Sequence, residues 1–534
     1  MATVSRAIAL RAAVAGVVWL GSVTWGDTFA LIGDFGADST GNGAKELAVA
    51  NLVKSWSPSY IVTVGDNNYD TGSASTIDQN IGKYYQEFIA NYTGSYGPGA
   101  GSSLNRFFPV PGNHDWGSVS SGGSITPYLN YFTLPGPGVT VPSPNPNTNE
   151  RYYTLIRGDA QFFMLDSDVN EPDGTSSHKT QGQWLRNAML ASTAKYKLVV
   201  LHHAPYSSGS SHGSEERMQW PFKHWGATAV FAGHDHTYER LDVNGLPYIV
   251  NGIGGKSLYT FTTPVAGSQV RYSADYGATK ATITSSQLTL ETHSIDGVQR
   301  DTLTIAAPTP RPAFVVRTFQ QGAGGYTGAH DTMVRQDLPN NHYGTTATLV
   351  ADLDDNTASG SQPVQTLVRF DSLFGNGAGQ IPVGATILSA NLSVVTGSAT
   401  NDNSNTTTKV YRMLKTWSDD PTTGDTWNTL SGGISTDDVE AALAADDGHE
   451  SALSHAVNFD VTATVQGWAN APGTNFGWAL INAGTDGWRF GSAETATVAD
   501  RPQLEVIYAA PVPEPASSLV LLVGAVGLLR RRRR

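Results

Sequence analysis

Short apolar runs separated by glycine-rich turns dominate the first half of the chain. Phe29 to Ile32, Tyr60 to Val64, Phe162 to Leu165, Lys197 to Leu201 and Thr228 to Phe231 are mostly apolar, as strands buried on both faces are. Between them, Ala44 to Trp56 places Leu47, Ala50, Val53 and Trp56 on one helical face, and a second helical segment covers Gln181 to Leu190. The alternation predicts a layered α/β domain with its functional groups at the carboxyl ends of the strands.

Beyond residue 306 the pattern changes. Ala306-Ala307-Pro308-Thr309-Pro310-Arg311-Pro312 reads as a stiff proline-rich linker. Short strands then follow at Thr366 to Phe370, Ala390 to Val395, Thr408 to Arg412, Trp478 to Ile481 and Gln503 to Tyr508, separated by Gly, Asn, Asp and Thr. The longest helical stretch expected there is Val439 to Ala445. An all-β, jelly-roll-like sandwich is predicted. The resulting division is 27–306 for the α/β domain, 307–313 for the linker and 314–510 for the sandwich.

Composition fits this division: of 534 residues 57 are Gly and 27 Pro, and only 15% are charged. The formal net charge is −13, and five of the positive charges form one terminal run, Arg530 to Arg534. Without that run the body carries about −18, which disfavours nucleic acid as a partner. An anionic substrate would need a local positive site, such as bound metal ions. There is no cysteine, so disulfides, thiolate metal sites and cysteine nucleophiles are excluded.

Both termini read as processing signals. Arg6 and Arg11 precede the apolar stretch Ala12 to Leu20, and Thr24-Trp25-Gly26 suits signal-peptidase cleavage before Asp27, making 1–26 a signal peptide. At the other end, 511–534 holds Pro513-Glu514-Pro515, an apolar run Leu519 to Leu529 and the arginines. Eleven apolar residues span about 16 Å as a helix, short of a hydrocarbon core of ~30 Å. The arrangement resembles the PEP-CTERM sorting signal of Gram-negative bacteria. That resemblance implies transient inner-membrane retention, processing by an exosortase, and delivery to the cell surface or extracellular matrix.

Five segments of the first domain carry its chemistry: Gly33-Asp34-Phe35-Gly36, Gly65-Asp66-Asn67-Asn68-Tyr69, Gly112-Asn113-His114-Asp115, Leu201-His202-His203-Ala204-Pro205 and Gly233-His234-Asp235-His236. Each follows an apolar stretch. Carboxylates and imidazoles gathered at strand ends suit a hydrolytic metal site, and the glycines let backbone approach it closely.

These segments resemble the calcineurin-like metallophosphoesterases, and within them the purple acid phosphatases, over about residues 28 to 260. The resemblance rests on Gly-Asp-x-x-Tyr, Gly-Asn-His-Asp and Gly-His-x-His followed by Thr237-Tyr238-Glu239-Arg240. It implies a first metal on Asp34, Tyr69 and His236, a second on Asn113, His203 and His234, and Asp66 bridging them. On an extended segment only one of His202 and His203 can face the metals; the family pattern His-x-Pro selects His203 and leaves His202 to packing or support. Tyr69 implies Fe(III) at the first site, and the second would accept Zn, Mn or Fe(II). His114 and His212 are the implied substrate-binding and proton-donating residues. The implied reaction is hydrolysis of a phosphate monoester, in line, by a hydroxide activated at the metals. A phosphodiesterase or nucleotidase on the same framework, and a matrix or adhesion protein with a relic domain, are the competing readings. No ligand is missing, which speaks against the last.

The second module resembles DNRLRE-type β-sandwiches of secreted bacterial proteins. The shared residues include Asp331-Thr332-Met333-Val334-Arg335, Arg369-Phe370-Asp371, Thr416-Trp417, Thr426-Trp427-Asn428, Phe459-Asp460-Val461-Thr462 and Arg501-Pro502. Some relatives bind polysaccharide, so extracellular polysaccharide is an implied partner. Trp417, Trp427, Trp468 and Trp478 are expected in the core rather than on a sugar-binding face.

Overall fold

Two facing sheets organise the first unit. The computed structural model describes residues 27–117, 123–142, 149–354 and 362–511. The expected signal peptide, 1–26, and all of the expected sorting segment but residue 511 lie outside the described residues. The strands of this unit are β1 (Asp27–Ile32), β2 (Tyr60–Thr63), β3 (Phe107–Pro109), β4 (Tyr153–Arg157), β5 (Ala160–Met164), β6 (Tyr196–His203), β7 (Ala229–Gly233), β8 (Tyr238–Val243), β9 (Leu246–Asn251), β10 (Ser268–Tyr272), β11 (Gly277–Ile283), β12 (Gln287–Ser294) and β13 (Gln299–Ala306). One sheet runs β13-β12-β11-β1-β2-β3, the other β10-β8-β9-β7-β6-β5-β4. The centres are parallel, β1 to β3 in one and β5, β6, β7 and β9 in the other. Antiparallel strands complete both edges of the second sheet and the β11–β13 side of the first, whose other edge is the parallel strand β3.

Apolar side chains from both sheets meet in one core. Phe29 stacks on Tyr60 at 5.3 Å and meets Phe162 of the opposite sheet edge-on at 5.3 Å. Such ring pairs add about 0.5–1.5 kcal/mol each beyond their buried area. The helix Thr180–Ala191 covers the outer face of the second sheet, with Leu185 and Met189 clustered with Phe163, Val199 and Leu201. Helix α1 (Gly43–Ser55) buries Val49, Ala50 and Val53, but Leu47, expected on that face, is exposed. The helix turns Glu46 inward instead, and its carboxylate accepts the amides of Ala37 and Asp38 in the loop after β1. Those buried donors have to be satisfied, and that fixes the helix rotation.

The second unit is an all-β sandwich. Its four-stranded sheet joins Phe314–Gln320, Gln503–Ala509, Ile387–Val395 and Ala456–Asp460. Its five-stranded sheet joins Ala329–Arg335, Val364–Phe370, Trp478–Asn482, Thr408–Arg412 and Asp447–His449. Trp417, Trp427, Trp468 and Trp478 are all buried, as is Trp488. The expected helix at Val439 to Ala445 does not form. Asp437 and Asp438 take the amides of Val439 and Leu443, competing with helical hydrogen bonds. The helix of this unit is Thr462–Asn470, which drives Trp468 into the core.

The two units are docked. Arg186 and His224 of the first both bond to Glu505 of the second, and His224 also bonds to Ser389. The Ala456 amide donates to Ser176, Asn458 donates to Ser177, and Arg311 of the linker donates to the His224 carbonyl.

Candidate metal centre

The strand ends of both sheets converge on one cluster. Asp34 follows β1, Asp66 follows β2, Asn113 follows β3, His202 and His203 end β6, and His234 and His236 follow β7. Asp34, Asp66 and His234 adopt left-handed backbone, with φ of 54°, 51° and 72°. Each such residue costs about 1–2 kcal/mol, and strain of this kind gathers at functional sites. Gly65, at φ 91°, is required by contact as well: a Cβ there would lie 2.6 Å from His202 Nδ1.

One group forms around the Tyr69 hydroxyl. It lies 2.8 Å from Asp66 Oδ2, 3.2 Å from Asp34 Oδ1 and 3.0 Å from His236 Nε2. His236 Nδ1 donates to the Ser257 carbonyl, which leaves the Nε2 lone pair facing this group. A single hydroxyl proton thus serves three acceptors.

The other group forms on the opposite oxygen of Asp66. His202 Nε2 lies 3.3 Å from Asp66 Oδ1, 3.0 Å from Asn113 Oδ1 and 3.2 Å from His234 Nδ1. His202 Nδ1 donates to the Val64 carbonyl, so Nε2 is the atom offered to the group. His203 was the expected ligand and His202 its support; His202 Nε2 reaches Asp66 and His234, and the His203 ring also packs against His234, with ring centres 4.3 Å apart. Ser167 Oγ accepts both backbone amides and faces His203 Nδ1 at 2.9 Å, fixing that ring through Nδ1 as the Ser257 carbonyl fixes His236. The His-x-Pro spacing gives no hint of this, because Ser167 lies 35 residues upstream of His202.

Both remaining predicted histidines border the cluster. His114 Nδ1 donates to the Asp70 carbonyl at 2.5 Å and its Nε2 lies 3.9 Å from Asp66 Oδ2. His212 stacks on His234 with ring centres 3.8 Å apart. Its loop is held by Asp235, which accepts the His212 and Gly213 amides and the Ser207 hydroxyl.

The donor set fits cations. Asp34, Asp66 and His236 bring ligand atoms within 4.8 Å of one another, as do Asp66, His202 and His234, with Asp66 common to both. Carboxylates, a phenol, an amide oxygen and imidazoles converge, a frame for hard or borderline metals.

Residues 28–238 match the calcineurin-like phosphoesterase family. The first unit is a metallophosphoesterase domain. Human tartrate-resistant acid phosphatase type 5 is 25% identical over 245 residues, 42% of this chain and 72% of that protein. Purple acid phosphatase 4 of Arabidopsis thaliana is 25% identical over 290 residues, 51% of this chain and 80% of that protein. Among solved structures, a purple acid phosphatase from yellow lupin seeds is 19% identical with a TM-score of 0.41, covering 52% of this chain and 53% of that one. The chain is accordingly a metal-dependent phosphoric ester hydrolase. Residues 325–508 match carbohydrate-binding module family 96, in the sandwich.

The metallophosphoesterase domain also holds site residues that sequence reasoning passed over. Tyr259 stacks on His236 at 4.1 Å, nearly parallel. Lys256 Nζ bonds to Asp70 and lies 4.5 Å from the centre of the Tyr69 ring. Both lie in the loop after β9, whose Gly254-Gly255 was a usable signal. Burial by itself would raise the Asp66 carboxyl, but the His202 and His114 imidazoles hold it far below the usual range. Burial lowers His202, yet Asp66 and Asp34 outweigh it and bring it to about 10. His236 is pushed down to about 4 by burial, the neutral form a metal needs. Burial and the two aspartates push the Tyr69 phenol well up.

Proposed function

We propose that this chain is an exported phosphomonoesterase of the purple acid phosphatase type, with Fe(III) beside Tyr69 and Zn, Mn or Fe(II) beside Asn113. The observation that carries the reading is the Tyr69 hydroxyl in contact with Asp34, Asp66 and His236 at once. A phenol so hard to ionise suits a hard trivalent cation, whose charge favours the phenolate over the phenol. Bound metals supply Lewis acidity and a nucleophile at moderate pH. Asp34, Asp66, Tyr69, Asn113, His203, His234 and His236 are the holding residues, with His202 beside Asp66 as their support.

The chain's own residues supply the remainder. His114, its ring fixed through Nδ1, offers Nε2 to the phosphoryl oxygens. His212, braced against His234, is available to protonate the departing alkoxide. The acid-phosphatase relatives support phosphate monoesters as substrates. The terminal patterns support signal-peptide export, transient inner-membrane anchoring and exosortase processing, ending at the surface or matrix of a Gram-negative cell. The carbohydrate-binding match supports attachment to extracellular polysaccharide.

The test is to purify residues 27–510, assay iron and visible absorption, and compare p-nitrophenyl phosphate with bis(p-nitrophenyl) phosphate. A visible band lost in Tyr69→Phe and preference for the monoester are expected. A colourless, iron-free and active enzyme would refute the purple subclass.

A further inference from the structure

The Asp331-Thr332-Met333-Val334-Arg335 segment has no part in the metallophosphoesterase centre, yet it buries a carboxylate. Asp331, inside the strand Ala329–Arg335, is 2% exposed. Its Oδ2 accepts the Ala493 amide at 2.7 Å. Its Oδ1 is buried as well and receives no hydrogen bond. The group facing it is another carboxylate, that of Glu494, within hydrogen-bonding reach, and Asp419 adds to the negative field.

The cationic side chains of that strand and its neighbour turn to other acids. Arg335 pairs with Asp337, Arg369 with Asp371, and His330 with Asp371 and Asp419. A buried carboxylate oxygen without a donor, set against a second carboxylate, is strongly unfavourable unless positive charge lies between them.

We propose that Asp331 and Glu494 hold a divalent cation, calcium by its chemistry, in the sandwich. Both donors are hard carboxylate oxygens, the set that selects calcium over zinc. Glu494 is exposed, so one side of the site is open to water, which calcium accepts among its six to eight oxygen ligands. Magnesium, which demands a small, near-ideal octahedron, suits such an open pair less well. The cation would tie the strand Ala329–Arg335 to the turn that follows Trp488–Gly491, where Ala493 and Glu494 sit. The rival occupant is a proton shared between the two carboxyls.

Calorimetric titration of calcium chloride into the metal-replete holoenzyme separates the two. A calcium site is expected whose affinity falls by more than about tenfold in Glu494→Gln, with phosphatase activity unchanged. Calcium should raise the unfolding temperature of the wild type but not of that variant. Asp331→Asn, nearly isosteric, should lose the same calcium response. Calcium binding equal in wild type and Glu494→Gln overturns the proposal. So does a wild type indifferent to calcium alongside a Glu494→Gln variant of equal or greater stability, which is the result a shared proton gives.

Discussion

His202 and His203 are neighbours at the end of one strand and both rings pack against His234: His202 Nε2 faces Asp66, whereas His203 Nδ1 faces Ser167. His203→Ala should remove one metal and nearly all turnover. His202→Ala removes a support beside Asp66, and a loss within about 10–100-fold is expected. Metal content and kcat of the two variants, measured side by side, check the assignment; the reverse ranking would make His202 the ligand.

Metal uptake should release protons. His202 stands at about 10 beside Asp66 without a metal, so at neutral pH it carries a proton that a cation must displace. Apparent affinity at this centre should rise with pH through the neutral range and fall on acidification. Calorimetry in buffers of different ionisation enthalpy measures the protons released; a heat independent of buffer contradicts the prediction.

Glu505 makes the docking of the two units acid-sensitive. Burial raises its carboxyl, but His224 and Arg186 outweigh that and bring it to about 2. The folded value lies below the unfolded one, so the stabilisation is complete above roughly pH 5 and is lost as pH falls towards 2. Glu505→Gln should cost about 2–3 kcal/mol at neutral pH and flatten this acid limb. Thermal unfolding of both proteins from pH 3 to 7 is the measurement.

Gly65→Ala should damage the centre without touching a ligand. The left-handed backbone alone costs about 1–2 kcal/mol, and the new methyl would strike the His202 ring. Reduced stability together with reduced metal retention is expected. Lower stability at full metal occupancy would mean that the ring moves aside freely.

Much of this was legible in the sequence because buried parallel strands are read from continuous apolar runs, and the ligands follow them directly. Asp34, Asp66, Tyr69, Asn113, His234 and His236 converge as their positions after strands implied. The brace on His203 was not legible, because it is Ser167, whose position depends on the pairing of β5 with β6. Glu46 misled the reading of α1 for a similar reason: its partners are backbone amides of a loop, invisible to hydrophobic periodicity. The Asp437 and Asp438 side chains likewise defeated a helix that composition favoured.

The Arg186–Glu505–His224 contact has one more consequence. Two modules on a loose tether could seize a polymer over a range of spans, and their joint avidity would decline gradually with separation. Modules locked by an ion pair offer a single span. On the proposed reading, a polysaccharide bearing phosphate monoesters and held by the sandwich would lose phosphate only where the esters fall at that fixed interval from the grip, so the docking contact would act as a ruler.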